Sequence, residues 1–217
     1  MGALMWAATM TQPDIAYAVH TTAKFCEIPG VKYKRAVVKT LQYVLRTADL
    51  GINCGGQDCG VEMLTYADSD YATCWDSRRS VSGGAVLLWG GVISWHARTQ
   101  EMTAAGTTEA EYVALAEMVN ELLFLHQVQA FIRPTLEHYP VIIKEDNQGG
   151  EKMVHNKHSS RRTRRIDMNH HIVRDAVEAG KVMIVYVGMG EQRADVLMKA
   201  LERSSFETHV NALMNIV

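Results

Sequence analysis

Residues 61–97 read VEMLTYADSDYATCWDSRRSVSGGAVLLWGGVISWHA, and three extended segments stand out in them. Val61 to Ala67, Ser82 to Trp89 and Val92 to Ala97 are rich in β-branched and aromatic side chains and are separated by turn residues. Gly90-Gly91 between the second and third marks a tight hairpin. Three strands in succession predict an antiparallel start to a sheet. Downstream, Thr107 or Thr108 opens a long helix running to about Phe131, Val141 to Glu145 is a short buried strand, and Ile166 to Ala179 is a helix stopped by Gly180. Val182 to Val187 is then a strand and Glu191 to Leu201 a closing helix. The order βββαβαβα predicts an α/β fold, a mixed five-stranded sheet flanked by helices.

Upstream, Thr11, Pro13 and Asp14 open one helix, while Val37, Val38, Leu41, Val44 and Leu45 follow a 3.6-residue period in a second. Residues 51–60 contain four Gly and two Cys with an Asn and an Asp, a turn-rich stretch that predicts a boundary. We therefore expect a helical arm over residues 1–58 and an α/β domain over 59–217. Two helices cover their own apolar faces incompletely, so Ala16, Val19, Val37, Leu41 and Leu45 are expected to leave an apolar patch for a partner or to fold back onto the domain.

Composition sets the outer bounds. With 47% hydrophobic and 21% charged residues, the chain is neither disordered nor collagenous nor a coiled coil. Lys+Arg at 22 against Asp+Glu at 24 gives a net charge of -2, so contact with a polyanion requires a local basic patch. Four unevenly spaced Cys do not form a disulfide framework, and a reducing compartment is expected. The apolar start lacks a preceding basic residue, and no run reaches the roughly 18 apolar residues of a membrane span. An intracellular protein, cytoplasmic or nuclear and without a membrane partner, is expected.

The carboxylates carry the chemistry. Period-two alternation puts Asp68 and Asp70 on one face at the end of the first strand. Glu109 and Glu111 lie in the first turns of the long helix, two residues apart, so at most one faces the sheet. Asp146 follows the apolar run Val141-Ile142-Ile143, and Asp195 lies in the first turn of the last helix. Singly, each has a structural use at a helix N-terminus or a turn. Together, strand and helix ends can converge them on one spot, and carboxylates unpaired by Lys or Arg repel one another unless divalent cations sit among them. Oxygen-only donors select magnesium or manganese. Two such ions about 4 Å apart support in-line displacement at a phosphate.

At these residues the chain resembles a known family. Tyr66-Ala67-Asp68-Ser69-Asp70, Ser80-Val81-Ser82-Gly83, Ile93-Ser94-Trp95, Thr108-Glu109-Ala110-Glu111-Tyr112, Asp146-Asn147-Gln148 and Ala194-Asp195 resemble, in order, landmarks of the copia-type retrotransposon polyprotein. The series Asp68, Glu111, Asp146, Asp195 is similar to the acidic tetrad of ribonuclease H. The resemblance implies a ribonuclease H-like fold and an endoribonuclease that cuts the RNA strand of RNA–DNA hybrids. It implies those four residues as ligands of two Mg2+ or Mn2+ ions, with Glu111 rather than Glu109 as the ligand. Val187 to Glu191 offers no His before the last helix, so proton transfer on product release falls to water or another group. Residues 1–50, with Pro13-Asp14-Ile15-Ala16-Tyr17-Ala18-Val19, resemble the end of the reverse transcriptase in the same polyprotein, which implies a polymerase packed on the arm. No two Asp are adjacent, so the polymerase's own metal pair is absent and DNA synthesis is not expected.

The run from Lys157 through Arg161, Arg162, Arg164 and Arg165 suits a surface that tracks phosphates. Thr107, Thr108, Asn147 and Gln148 flank the acidic residues and can reach sugar hydroxyls or base edges in a hybrid's minor groove, the Thr pair serving equally as helix caps. His155, His158, His170 and His171 with Cys54 and Cys59 lack the regular spacing of a zinc site. Trp89 and Trp95, on strands, are expected in the core. An integrase or transposase shares the fold with three carboxylates, and Asp195 argues against it. The alternative to a nuclease is a catalytically inactive retroelement remnant that only binds nucleic acid or protein.

Overall fold

The computed structural model describes residues 1–55, 63–74, 76–136, 140–146 and 164–216, the side chains of 164–168 and 170 excepted. Five strands, β1 (Leu64–Asp70), β2 (Val81–Leu88), β3 (Gly91–Thr99), β4 (Val141–Glu145) and β5 (Val182–Tyr186), form one sheet in the order β3-β2-β1-β4-β5. β1 to β3 are antiparallel neighbours, while β4 runs parallel to both β1 and β5. This is the mixed sheet of the ribonuclease H-like fold. The hairpin between β2 and β3 turns on Trp89 (φ 53°) and Gly90 (φ 82°), both left-handed, which is the twist that a two-residue turn needs. Trp89 is thereby lifted out of the core: it is exposed, with the Arg133 guanidinium 5.7 Å over its ring. Trp95 does pack inward and donates its indole N–H to the carbonyl of Ala8 at 2.7 Å.

Seven α-helices are described: α1 (Gly2–Met10), α2 (Ala16–Ala23), α3 (Val31–Arg46), α4 (Thr107–Ile132), α5 (Arg164–Glu178), α6 (Asp195–Met198) and α7 (Arg203–Met214). None of the described helices is long and apolar enough to cross a membrane. Because side chains alternate across a strand, the sheet has two apolar faces. On one, Ala67, Val86, Val141 and Ile143 pack against Tyr112, Leu115, Val119 and Leu122 of α4 and Val173 of α5. On the other, Tyr66, Ala85 and Leu87 pack against Val196 and Leu197 of α6, Val210 and Leu213 of α7, and Ala16 of α2.

The expected elements differ in several places, and the arm holds three α-helices, α1, α2 and α3, where two were expected. β1 continues to Asp70, because Asp68, Ser69 and Asp70 stay paired with Gly83, Ser82 and Val81, so Asp68 lies within the strand and not at its end. The closing helix expected over Glu191 to Leu201 is one turn only. Gln192 and Lys199 are extended on either side of it, and Val196, Leu197 and Met198 are all buried, as a plug under α7 and not as one face of an amphipathic helix. α7 itself was not expected; it buries His209, Val210, Leu213 and Met214 at helical spacing. The Thr pair does not cap α4, whose N-cap is Gly106.

The arm folds back onto the domain through its first half. Ala16 and Val19 are buried, His20 Nε2 lies 2.9 Å from Thr99 Oγ1 of β3, and Asn53 N–H donates to Met214 O. Tyr43 of α3 meets Phe206 of α7 edge to face. Val37 and Val44 of α3 pack on the cluster of Leu4, Ala8, Ile15 and Val19, while Leu41 is exposed and Leu45 is 78% exposed. The boundary expected near residues 58 and 59 lies outside the described residues.

Candidate active site

Parallel pairing decides which carboxylates meet. β1 and β4 run side by side with Leu64 opposite Ile142 and Tyr66 opposite Lys144, so alternation carries Asp68 and Asp146 onto the same face at the same end. Asp68 is 3% exposed, and its Oδ1 accepts the Ser69 N–H at 2.6 Å. Glu145, which precedes Asp146, is 1% exposed, and one carboxylate oxygen from each of Asp68, Glu145 and Asp146 lies within 4.8 Å of the others. Three hard oxygen donors this close fit magnesium or manganese better than any softer metal.

Asp195 arrives from the other direction. Gly83 pairs with Asp68 across β1 and β2, and a Cβ there would stand 2.9 Å from Ala194 O and 3.3 Å from Met198 Cγ. Only glycine lets the segment bearing Asp195 lie this close to the sheet. Gln192 pins the same segment: it is fully buried, donates from Nε2 to Ala67 O at 2.9 Å, and accepts the Ala194 N–H on Oε1. Asp195 and Asp68 are then joined by Lys199, whose Nζ donates to Asp195 Oδ1 at 2.7 Å and to Asp68 Oδ2 at 3.0 Å. The expectation of carboxylates unpaired by any cation is therefore wrong here.

Charge and burial set the protonation. Burial pushes Asp68 up to about 8; Lys199 opposes this, while Asp195 and Asp146 reinforce it. An ammonium at 3.0 Å favours the carboxylate, yet Lys199 sits closer to Asp195, and at Asp68 the cost of burial wins. Asp70 and Asp146 are raised as well, burial first in each case. Burial works against the Lys199 ammonium, but Asp68 and Asp195 more than offset it and raise it above its ordinary value.

Glu111 is half-buried in the first turns of α4, outside the group formed by Asp68, Glu145 and Asp146. Glu109 accepts the Ala105 N–H at 2.8 Å and so closes the turn before α4. Thr107 and Thr108 stand at the N-terminus of α4, Thr107 exposed. Arg164 and Arg165 begin α5, with their side chains outside the described residues; Asn147, Gln148, Arg161 and Arg162 lie outside them altogether.

The chain is 33% identical over 207 residues to the retrovirus-related Pol polyprotein from transposon TNT 1-94 of Nicotiana tabacum, a match that covers 95% of this chain and 15% of that one. It is 30% identical, again over 207 residues, to the Pol polyprotein from transposon RE2 of Arabidopsis thaliana, covering 95% of this chain and 14% of that one. The homologues of this chain are thus copia-type Pol polyproteins from transposons. The chain spans only those small fractions of the curated Pol relatives it matches. No protein-family model matches the sequence. A ribonuclease H1 isolated from compost by a metagenomic approach aligns over 69% of this chain and 98% of that chain at 14% identity and a TM-score of 0.48, too distant to bear on site residues.

Three site residues escaped the sequence reading: Glu145, Gln192 and Lys199. Two left a signal. Glu145 shares the buried phase of β4 with Val141 and Ile143, which singles out an inward carboxylate, and Lys199 lies at i+4 from Asp195. Gln192 left none, since its partner Ala67 is 125 positions away.

Proposed function

We propose that this retroelement ribonuclease H domain hydrolyses the RNA strand of RNA–DNA hybrids with the help of bound Mg2+ or Mn2+. The observation that carries the reading is the meeting of Asp68, from within β1, with Glu145 and Asp146, at the end of the parallel strand β4, and Asp195 is brought beside Asp68 across Gly83. Asp68, Glu145 and Asp146 would hold a divalent ion, and when bound it supplies an acidified water and neutralises charge on a phosphate. The chain's own residues do the rest. Ser69 N–H fixes the Asp68 carboxylate, Gln192 holds the Asp195 segment against the sheet, and Thr107 and Thr108 stand at the start of α4, where a minor groove would pass. Arg161, Arg162, Arg164 and Arg165 supply the local positive charge that a chain of net charge -2 needs to hold a polyanion.

A second reading, a catalytically inactive module that only binds nucleic acid or protein, is favoured by one observation: Lys199 already neutralises part of the acidic cluster. Incubating the chain with a hybrid labelled on its RNA strand, with Mg2+, Mn2+ or EDTA, separates the two. Cleavage with either ion, lowered by about 100-fold or more in a folded Asp146→Asn variant, is the expected result. Retained cleavage in Asp146→Asn refutes the assignment of Asp146, and binding without cleavage in the parent chain selects the module.

A further inference from the structure

Gln100, the residue after β3, is 2% exposed, and the orientation of its amide is fixed. Its Nε2 donates to Ser82 Oγ at 3.0 Å and to Ala110 O at 2.8 Å, and the second partner is a carbonyl, which can only accept. The remaining oxygen, Oε1, accepts no hydrogen bond among the described residues. Ser82 in turn hydrogen-bonds to the Glu117 carboxylate of α4, whose Oε2 is likewise buried and accepts no hydrogen bond among the described residues. His96 Nε2 lies 3.7 Å from that oxygen, beyond hydrogen-bond reach. Burial first and Arg98 second lower His96 to about 4, so it brings no charge to Glu117 at neutral pH. Two buried acceptors are left over, and unpaired acceptors of this kind are costly. Gln100 and Glu117 both line one cavity of about 320 Å³, walled by the end of β3, the loop before α4, α4 itself and α5. That volume is within the range organic ligands occupy.

The wall also has a charge pattern. Glu109, Val113 and Glu117 stand four residues apart on one face of α4, so two carboxylates about 12 Å apart along the axis flank an apolar middle, to which Met102 and Ile172 add. Glu101, Glu109 and Glu117 line the cavity against a single guanidinium, that of Arg98. Burial holds the Glu117 carboxyl above its ordinary value; Ser82 and Arg98 oppose this and Glu101 reinforces it, so a cation beside Glu117 would favour the ionised form. We propose that the cavity binds a linear aliphatic polyamine. One terminal ammonium donates to Gln100 Oε1 and Glu117 Oε2, the methylene stem runs along Val113 and Ile172, and a second ammonium meets Glu109. An ammonium brings the N–H donors that both acceptors lack, and the excess of carboxylates repels an anion. The cavity shares no residue with the group of Asp68, Glu145 and Asp146, and the inference stands whether or not the chain cuts hybrids.

Isothermal titration of the full chain with spermidine, in EDTA and without nucleic acid, tests this. One spermidine should bind per chain, and tetramethylammonium at the same ionic strength, which has charge but no N–H donor, should not displace it. Glu117→Gln and Glu109→Gln should each weaken binding by about 10-fold or more, since each keeps its hydrogen-bonding oxygen and loses its charge. Glu121→Gln, one turn further along the same face of α4 and outside the cavity, should bind as the parent does. Val113→Phe, which fills the apolar middle, should abolish binding; circular dichroism establishes that each variant is folded. No saturable binding by the parent chain, displacement by tetramethylammonium, weakening in Glu121→Gln equal to that in Glu117→Gln, or undiminished binding in a folded Val113→Phe would each overturn the proposal. Hybrid cleavage on the same samples keeps the two readings apart. Cleavage without spermidine uptake sinks this inference alone, whereas uptake with the expected variant pattern and no cleavage sinks the nuclease reading and leaves the polyamine site standing.

Discussion

A single methyl group at Gly83 tests whether the site is assembled by close packing of α6 on the sheet. The Cβ of Gly83→Ala would lie 2.9 Å from Ala194 O, a backbone atom, as well as 3.3 Å and 3.4 Å from Met198 Cγ and Cβ. Met198 is fully buried and Ala194 N–H is tied to Gln192, so neither neighbour can step aside cheaply. Overpacking of this kind costs about 1–3 kcal/mol. Gly188→Ala is the control: nothing lies within 4 Å of its added carbon and its φ is -69°, so it shares the unfolded-state effect of losing a glycine without the clash. At about 2–4 °C per kcal/mol for a chain of this size, Gly83→Ala should melt about 2–12 °C below Gly188→Ala. The relief of the clash pushes Ala194 outward and carries Asp195 with it. A displacement near 1 Å lowers hybrid cleavage by about 100-fold, measured at a temperature where both variants are folded. Melting by circular dichroism in EDTA and a hybrid-cleavage assay check both halves. Equal melting temperatures would refute the packing argument; equal cleavage with a lowered melting temperature would detach Asp195 from catalysis.

Other expected outcomes follow from buried polar groups and from the basic run. His96 is lowered from 6.5 to about 4, by burial first and Arg98 second, so the unfolded chain takes up a proton between those values that the folded chain refuses. Its contribution to stability is present above about 6.5 and lost as pH falls toward 4, and the melting-temperature advantage of the parent chain over His96→Gln should therefore shrink between pH 7 and pH 5; a constant difference would show that His96 is not the group responsible. Tyr43→Phe deletes the hydroxyl that donates to the buried Asp14 Oδ2 at 2.7 Å and should lower stability by about 1–3 kcal/mol in a denaturant titration, whereas an unchanged midpoint would mean that the arm does not unfold with the domain. Replacing Arg161, Arg162, Arg164 and Arg165 by Gln should weaken hybrid binding and flatten its dependence on salt while Mn2+ uptake stays the same; an unaltered salt slope would make the run ordinary solvated surface.

What can be read along the chain is what local periodicity and turn chemistry govern. The extended run Val61 to Ala67, the turn at Gly90, the long helix α4 and the short strand Val141 to Glu145 all depend on neighbours within a few residues, and their order was enough to predict the mixed sheet. Period-two alternation put Asp68 and Asp70 on one face of β1. The ends of β1 and of the last helical segment were not legible. β1 is prolonged to Asp70 by pairing with β2, and the start of α6 is delayed to Asp195 by the extended, buried Gln192, whose partner is in β1, while extended Lys199 ends it. The sequence alone also showed an Asp and a Lys four residues apart, an ordinary surface pair on an exposed helix. Only the tertiary structure makes Lys199 part of the site, because Asp68 is 131 positions away and reaches it through the packing of α6 on a sheet that has glycine at position 83. Local periodicity chooses which face a side chain takes; which distant charge it meets there is decided by long-range pairing and by the volume left free between the packed elements.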